Sequence, residues 1–62
     1  MPFVRVSMLP GRTREQKAEL AKAITEAIVS IAKAPADGTT VVFEDIPSES
    51  WAVAGVLVSD NS

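Results

Sequence analysis

The sequence contains neither cysteine nor histidine, and these two absences remove most familiar catalytic and metal-binding machinery. Without thiols there is no disulfide to stiffen the fold, no thiolate nucleophile and no cysteine-based zinc site. Without imidazole there is no Ser-His-Asp triad, no zincin helix and no side chain that ordinarily titrates near neutral pH. Gly11, Gly38 and Gly55 are the only glycines and lie too far apart for a phosphate-binding loop. The acids Asp37, Glu44, Asp45 and Glu49 lack the spacing of a calcium loop. The net charge is −2, the six basic residues are dispersed and aromatics make up 5% of the chain, so no nucleic acid partner is expected. No apolar run approaches the roughly 20 residues that cross a bilayer, and no charged segment leads into an apolar one at the N-terminus. No membrane association and a cytoplasmic location are the expectation.

What is present fits one domain over residues 1–62, a length at which the core barely offsets conformational entropy. With disulfides and the usual metal ligands missing, oligomerisation is the remaining means of support. Residues 3–8 alternate, Val4, Val6 and Met8 against Phe3, Arg5 and Ser7, which is the period of a strand. Leu9-Pro10-Gly11 breaks it, and Thr13 followed by Gln16 is a capping box that opens a helix. Leu20, Ala21, Ile24, Ala27, Ile28 and Ile31 form the buried stripe of that helix, with Lys17, Lys22 and Glu26 on the wet side. The helix is predicted from Arg14 to about Lys33, because Pro35 disfavours helix at Ala34. Residues 39–45 read as a second strand, parallel to the first across the helical connection, and WAVAGVLVSD as a short hairpin or an extended arm. The fold class is α+β: a βαβ protomer with parallel strands and a short C-terminal hairpin. One helix covers one sheet face, so the other is expected to meet another chain.

The group left to titrate near neutral pH is the α-amine, ordinarily at roughly 7.7 to 8.0. If Met1 is removed, Pro2 becomes a ring-held secondary amine fixed at the head of a strand. If Met1 stays, the nitrogen is an amide, and the proline is simply tolerated at a strand's first residue. Arg12, between strand and helix, is either a solvated loop arginine or a planar fork for a carboxylate. Trp51 either walls an apolar site or packs against an interface. Glu44 and Asp45 are adjacent on a strand, point to opposite faces and cannot act as a carboxylate pair.

Met-Pro at the start, LPGRTREQK, ITEAI, Ala34-Pro35 and WAVAG occur in an order that covers nearly the whole chain. In these features the sequence resembles the 4-oxalocrotonate tautomerase family. The resemblance implies a tautomerase-like βαβ protomer assembled as a homo-hexamer, a trimer of dimers, with no metal or organic cofactor. It implies Pro2 as general base, Arg12 as the group that binds the carboxylate of a small-molecule substrate, and Trp51 as the residue that keeps the site apolar. The expected reaction moves a proton between enol and keto forms of small 2-hydroxy-enoic or enolpyruvate-type acids. Hydration or dehalogenation of unsaturated acids by a protonated prolyl amine is the enzymatic alternative, and a non-catalytic assembly module is the other. Aligned without gaps, the second arginine of the best-known members falls on Thr40, and alternation sets Arg5 on the face opposite Pro2. Acids with one carboxylate, such as arylenolpyruvates, are therefore the expected substrates.

Overall fold

Alternation in FVRVSM produces β1 (Phe3–Met8), in a computed structural model that describes residues 1–61. Val4, Val6 and Met8 are half-buried while Phe3, Arg5 and Ser7 are exposed, as expected of a pleated strand with one covered face. Helix α1 (Arg14–Ala32) starts where the capping box predicts. The Gln16 backbone N–H donates to Thr13 Oγ1 at 3.1 Å and the Thr13 N–H donates to Gln16 Oε1 at 2.9 Å. Such a cap contributes about 0.5–2 kcal/mol. The helix ends at Lys33, which is left-handed (φ 60°, ψ 31°), two residues before Pro35.

A short 3₁₀ turn (Ala36–Gly38) leads into β2 (Thr40–Asp45). The strand starts at Thr40 because Thr39 belongs to the turn: its N–H donates to the Ala36 carbonyl and its hydroxyl to the Pro35 carbonyl. Strands β1 and β2 are parallel, with Phe3 opposite Thr40 and Met8 opposite Asp45. A second 3₁₀ turn (Ser48–Ser50) precedes a hairpin of β3 (Ala52–Val53) and β4 (Val56–Leu57). Its turn residues Ala54 and Gly55 have φ of 53° and 83°, the double left-handed geometry that matches strand twist in two-residue hairpins. A final 3₁₀ turn spans Val58–Asp60.

The helix stripe divides in a way that periodicity does not predict. Ala21, Ile24, Thr25 and Ile28 are half-buried, whereas Leu20, Ala27 and Ile31 are exposed, Ile31 by 79%. A sheet of only two strands covers part of this broad apolar stripe and leaves the rest of it open. Lys17 is also not on the wet side. It is half-buried, and its Nζ lies 2.8 Å from Asp45 Oδ2, pinning the first turns of α1 over the end of β2. Asp45 and Glu44 do point to opposite faces, Asp45 to Lys17 and Glu44 to the Ser7 hydroxyl, which donates to it at 3.0 Å. In the apolar run of β2, Val41 and Phe43 are half-buried and Val42 is open.

Among the described residues not one is buried, apolar or polar. The radius of gyration is 14.6 Å in a slab of 42 × 24 × 14 Å, against about 10.6 Å for a compact domain of this length. The accessible surface is 4670 Å², whereas a globular monomer of 6.6 kDa exposes about 3,900 Å². The apolar residues Phe3, Leu20, Ile31, Val53 and Val56 sit in that excess. A protomer with no interior cannot offset its conformational entropy alone. Sedimentation equilibrium is expected to find assembled chains at micromolar concentration, with a melting temperature that rises with concentration. A stable, folded monomer would contradict this.

Candidate active site

Pro2 sits at the N-terminal end of β1, and its carbonyl accepts the Thr40 N–H at 3.0 Å. The hydrogen bond that extends the ladder is thus made by the carbonyl and leaves the ring nitrogen uninvolved. Freeing that nitrogen breaks no strand pairing, and Met1, which blocks it, is fully exposed. The same bond brings Thr40 beside Pro2, so these two predicted residues share one end of the sheet.

Arg12 lies past the other end. Gly11, at φ 127°, reverses the chain after β1 in a conformation that side-chain-bearing residues rarely adopt. Arg12 follows it, immediately before the Thr13 cap, and is exposed. An open groove of about 530 Å³ runs from it along the helix, lined by Met8, Arg12, Gln16, Glu19, Leu20 and Ala23. Arg12 is not within ion-pair distance of Glu19 or any other acid; the ion pair among the described residues is Lys17 with Asp45. Its guanidinium is available to a carboxylate. Trp51 follows the turn that leaves the C-terminal end of β2. It is half-buried, and its carbonyl accepts the Val58 N–H at 2.8 Å, which ties it to the hairpin.

The parallel register therefore sorts the predicted residues into two half-sites. Pro2 and Thr40 belong to the end where both strands begin and Arg12 to the end where both strands finish, with Trp51 six residues beyond β2 along the chain. At about 3.3 Å per residue, the six steps from Pro2 to Met8 span about 20 Å. One side chain does not bridge that gap, and no small enol acid touches both ends of one chain. A site that uses Pro2 with Arg12 draws them from different copies.

The open sheet face carries one arrangement that sequence alternation does not reveal. The Arg5 guanidinium carbon lies 5.8 Å from the centroid of the Phe3 ring, so the two side chains lie against each other on that face. An exposed cation–π contact of this kind contributes about 0.5–1 kcal/mol, enough to bias a rotamer. No group of His, Cys, Asp or Glu among the described residues is arranged to hold a metal ion. No helix among them is long and apolar enough to cross a membrane.

Residues 2–61 match the family described as Tautomerase enzyme. The chain is 41% identical over 60 residues to the 2-hydroxymuconate tautomerase of Comamonas testosteroni, covering 97% of this chain and 95% of that one. The crystal structure of YwhB, a homologue of 4-oxalocrotonate tautomerase, superposes with a TM-score of 0.92 at 41% identity, covering 95% of this chain and 97% of that one. A heterohexamer 4-oxalocrotonate tautomerase from Chloroflexus aurantiacus superposes with a TM-score of 0.91 at 32% identity over 100% of both chains.

Proposed function

The chain belongs to the tautomerase family, and we propose that it interconverts enol and keto forms of small 2-hydroxy-enoic or enolpyruvate-type acids, with Pro2 as general base once Met1 is removed. The observation that carries this reading is the Pro2 carbonyl holding the Thr40 N–H while the ring nitrogen stays outside the ladder. A neutral Pro2 amine takes the enol hydroxyl proton, the oxygen lone pair forms the C=O, and the displaced C=C electrons accept the proton back at carbon. One O–H and one C=C become one C–H and one C=O, with no net redox change.

Arg12 of a second copy binds the substrate carboxylate through its planar fork and orients the enol toward Pro2. Trp51 shields the reacting atoms from water, and Thr40 offers a neutral hydroxyl beside the base. The absence of any buried residue among those described and the separation of the half-sites support a homo-oligomer. A hexamer built as a trimer of dimers is the assembly proposed, and the heterohexameric Chloroflexus aurantiacus relative supports that number.

A base must be neutral to act, so kcat/KM rises with pH through the titration of the amine. The Arg12 cation and the apolar Trp51 wall both disfavour the ammonium form. The ascending limb is expected below the ordinary range of roughly 7.7 to 8.0. Titration of ¹⁵N-labelled Pro2 in the assembled protein checks the assignment. A value at or above that range removes the neutral base at working pH and favours water addition by a protonated amine.

A further inference from the structure

The reactive atom of Pro2 is a main-chain nitrogen, and this changes what Arg5 can do. Alternation sets side chains on opposite faces of a strand but leaves the backbone nitrogen in the sheet plane, within reach of either face. That Arg5 points away from the Pro2 ring therefore does not remove it from the Pro2 nitrogen. The register puts Phe3 directly opposite Thr40 and Arg5 opposite Val42, so Phe3, Arg5 and Thr40 share one face. On that face the guanidinium lies over the ring of Phe3, the residue next to Pro2.

Two acids could have drawn it elsewhere, and neither does. Glu44, on the same face, accepts the Ser7 hydroxyl at 3.0 Å, and Asp45 pairs with Lys17 at 2.8 Å on the other. Arg5 has no carboxylate within ion-pair distance among the described residues. A guanidinium with no acid within ion-pair distance, lying over an exposed ring on the face that carries Thr40, is a receptor for an anionic group attached to an apolar chain.

We propose that Arg5, held over Phe3, is a carboxylate-binding residue that selects enol acids carrying a second carboxylate. The inference rests on Pro2 and Arg12 acting as described above. It reverses the expectation drawn from Thr40: the positive charge missing at that position is supplied from the neighbouring strand. Substrates with one carboxylate still engage Arg12, and those with two gain a second anchor.

The test compares a 2-hydroxydienoate bearing two carboxylates with an arylenolpyruvate bearing one, on the native oligomer, Arg5→Gln and Arg5→Lys. Arg5→Gln is expected to lower kcat/KM for the dicarboxylate about ten- to a hundredfold, the span of a hydrogen bond to a charged group. The arylenolpyruvate is expected to be unaffected, and Arg5→Lys to retain most of the preference. Thr40→Arg, added to Arg5→Gln, is expected to restore the dicarboxylate. Sedimentation of each variant shows whether assembly is intact. Equal losses on both substrates, or none, in an assembled Arg5→Gln protein would overturn the proposal. Calorimetric binding of adipate and hexanoate to native protein and Arg5→Gln separates this from the catalytic reading. If the native protein turns over neither enol acid, the catalytic reading falls, and a selective loss of adipate binding in Arg5→Gln still upholds Arg5, whereas unchanged adipate binding overturns it.

Discussion

Chains that keep Met1, or carry one added residue ahead of Pro2, are expected to lose about 10²- to 10⁴-fold in kcat/KM, the range contributed by a positioned general base. Acylation turns the ring amine into an amide with no basic lone pair. The loss is chemical rather than structural, because Pro2 pairs with Thr40 and β1 is fully formed in a chain that carries Met1. Intact mass and steady-state kinetics on one untagged preparation give the comparison directly. Pro2→Gly, once processed, keeps an amine but not the ring, and should fall between the native and blocked proteins. Full activity in protein whose mass includes Met1 would remove Pro2 from the mechanism.

The second large effect is a recovery. Arg12→Ala removes a charge-assisted fork, at about 1.5–3 kcal/mol for each hydrogen bond to a charged group, so losses of at least ten- to a hundredfold are expected. Arg12 is exposed and outside the helix it precedes, so the fold should tolerate the change. Neither Arg12→Ala chains nor Met1-blocked chains should work alone. Unfolded together in equal amounts and reassembled at random, they should regain about a quarter of native activity, since each site takes one residue from each of two chains. A mixture no more active than the mean of its parents would mean that Pro2 and Arg12 act from the same chain.

Local features of the fold are legible because they depend on neighbours in the chain. The Thr13–Gln16 box, the stop at Ala34-Pro35 and the alternation of β1 all fall where the residues predict. The helix stripe is legible only as a period. Nothing in the spacing of Leu20, Ala27 and Ile31 separates residues that cover their own sheet from residues left for another copy. Lys17 looks solvated on a helical wheel because its partner Asp45 lies 28 residues away on another element.

The site follows the same rule. Pro2, Arg12 and Trp51 are identifiable by residue type and order, but a sequence gives no distances. Ten steps along the chain from Pro2 to Arg12 look short until six of them are drawn out as strand. Arg5 is hidden for a related reason, since alternation describes side chains and the group of interest at Pro2 is backbone.

The protomer, with none of its described residues buried, also has a life history. A newly synthesised copy has no interior in which to hide Ile31, Val53 or Val56 until it collides with another, so maturation is a search rather than a private rearrangement. The waiting time of each chain lengthens in proportion as copies become scarce, and throughout it the chain is open to proteases and to sticking nonspecifically. Abundance then acts as a threshold: below it most chains are destroyed while still searching, and above it they disappear into assemblies that no longer present these residues.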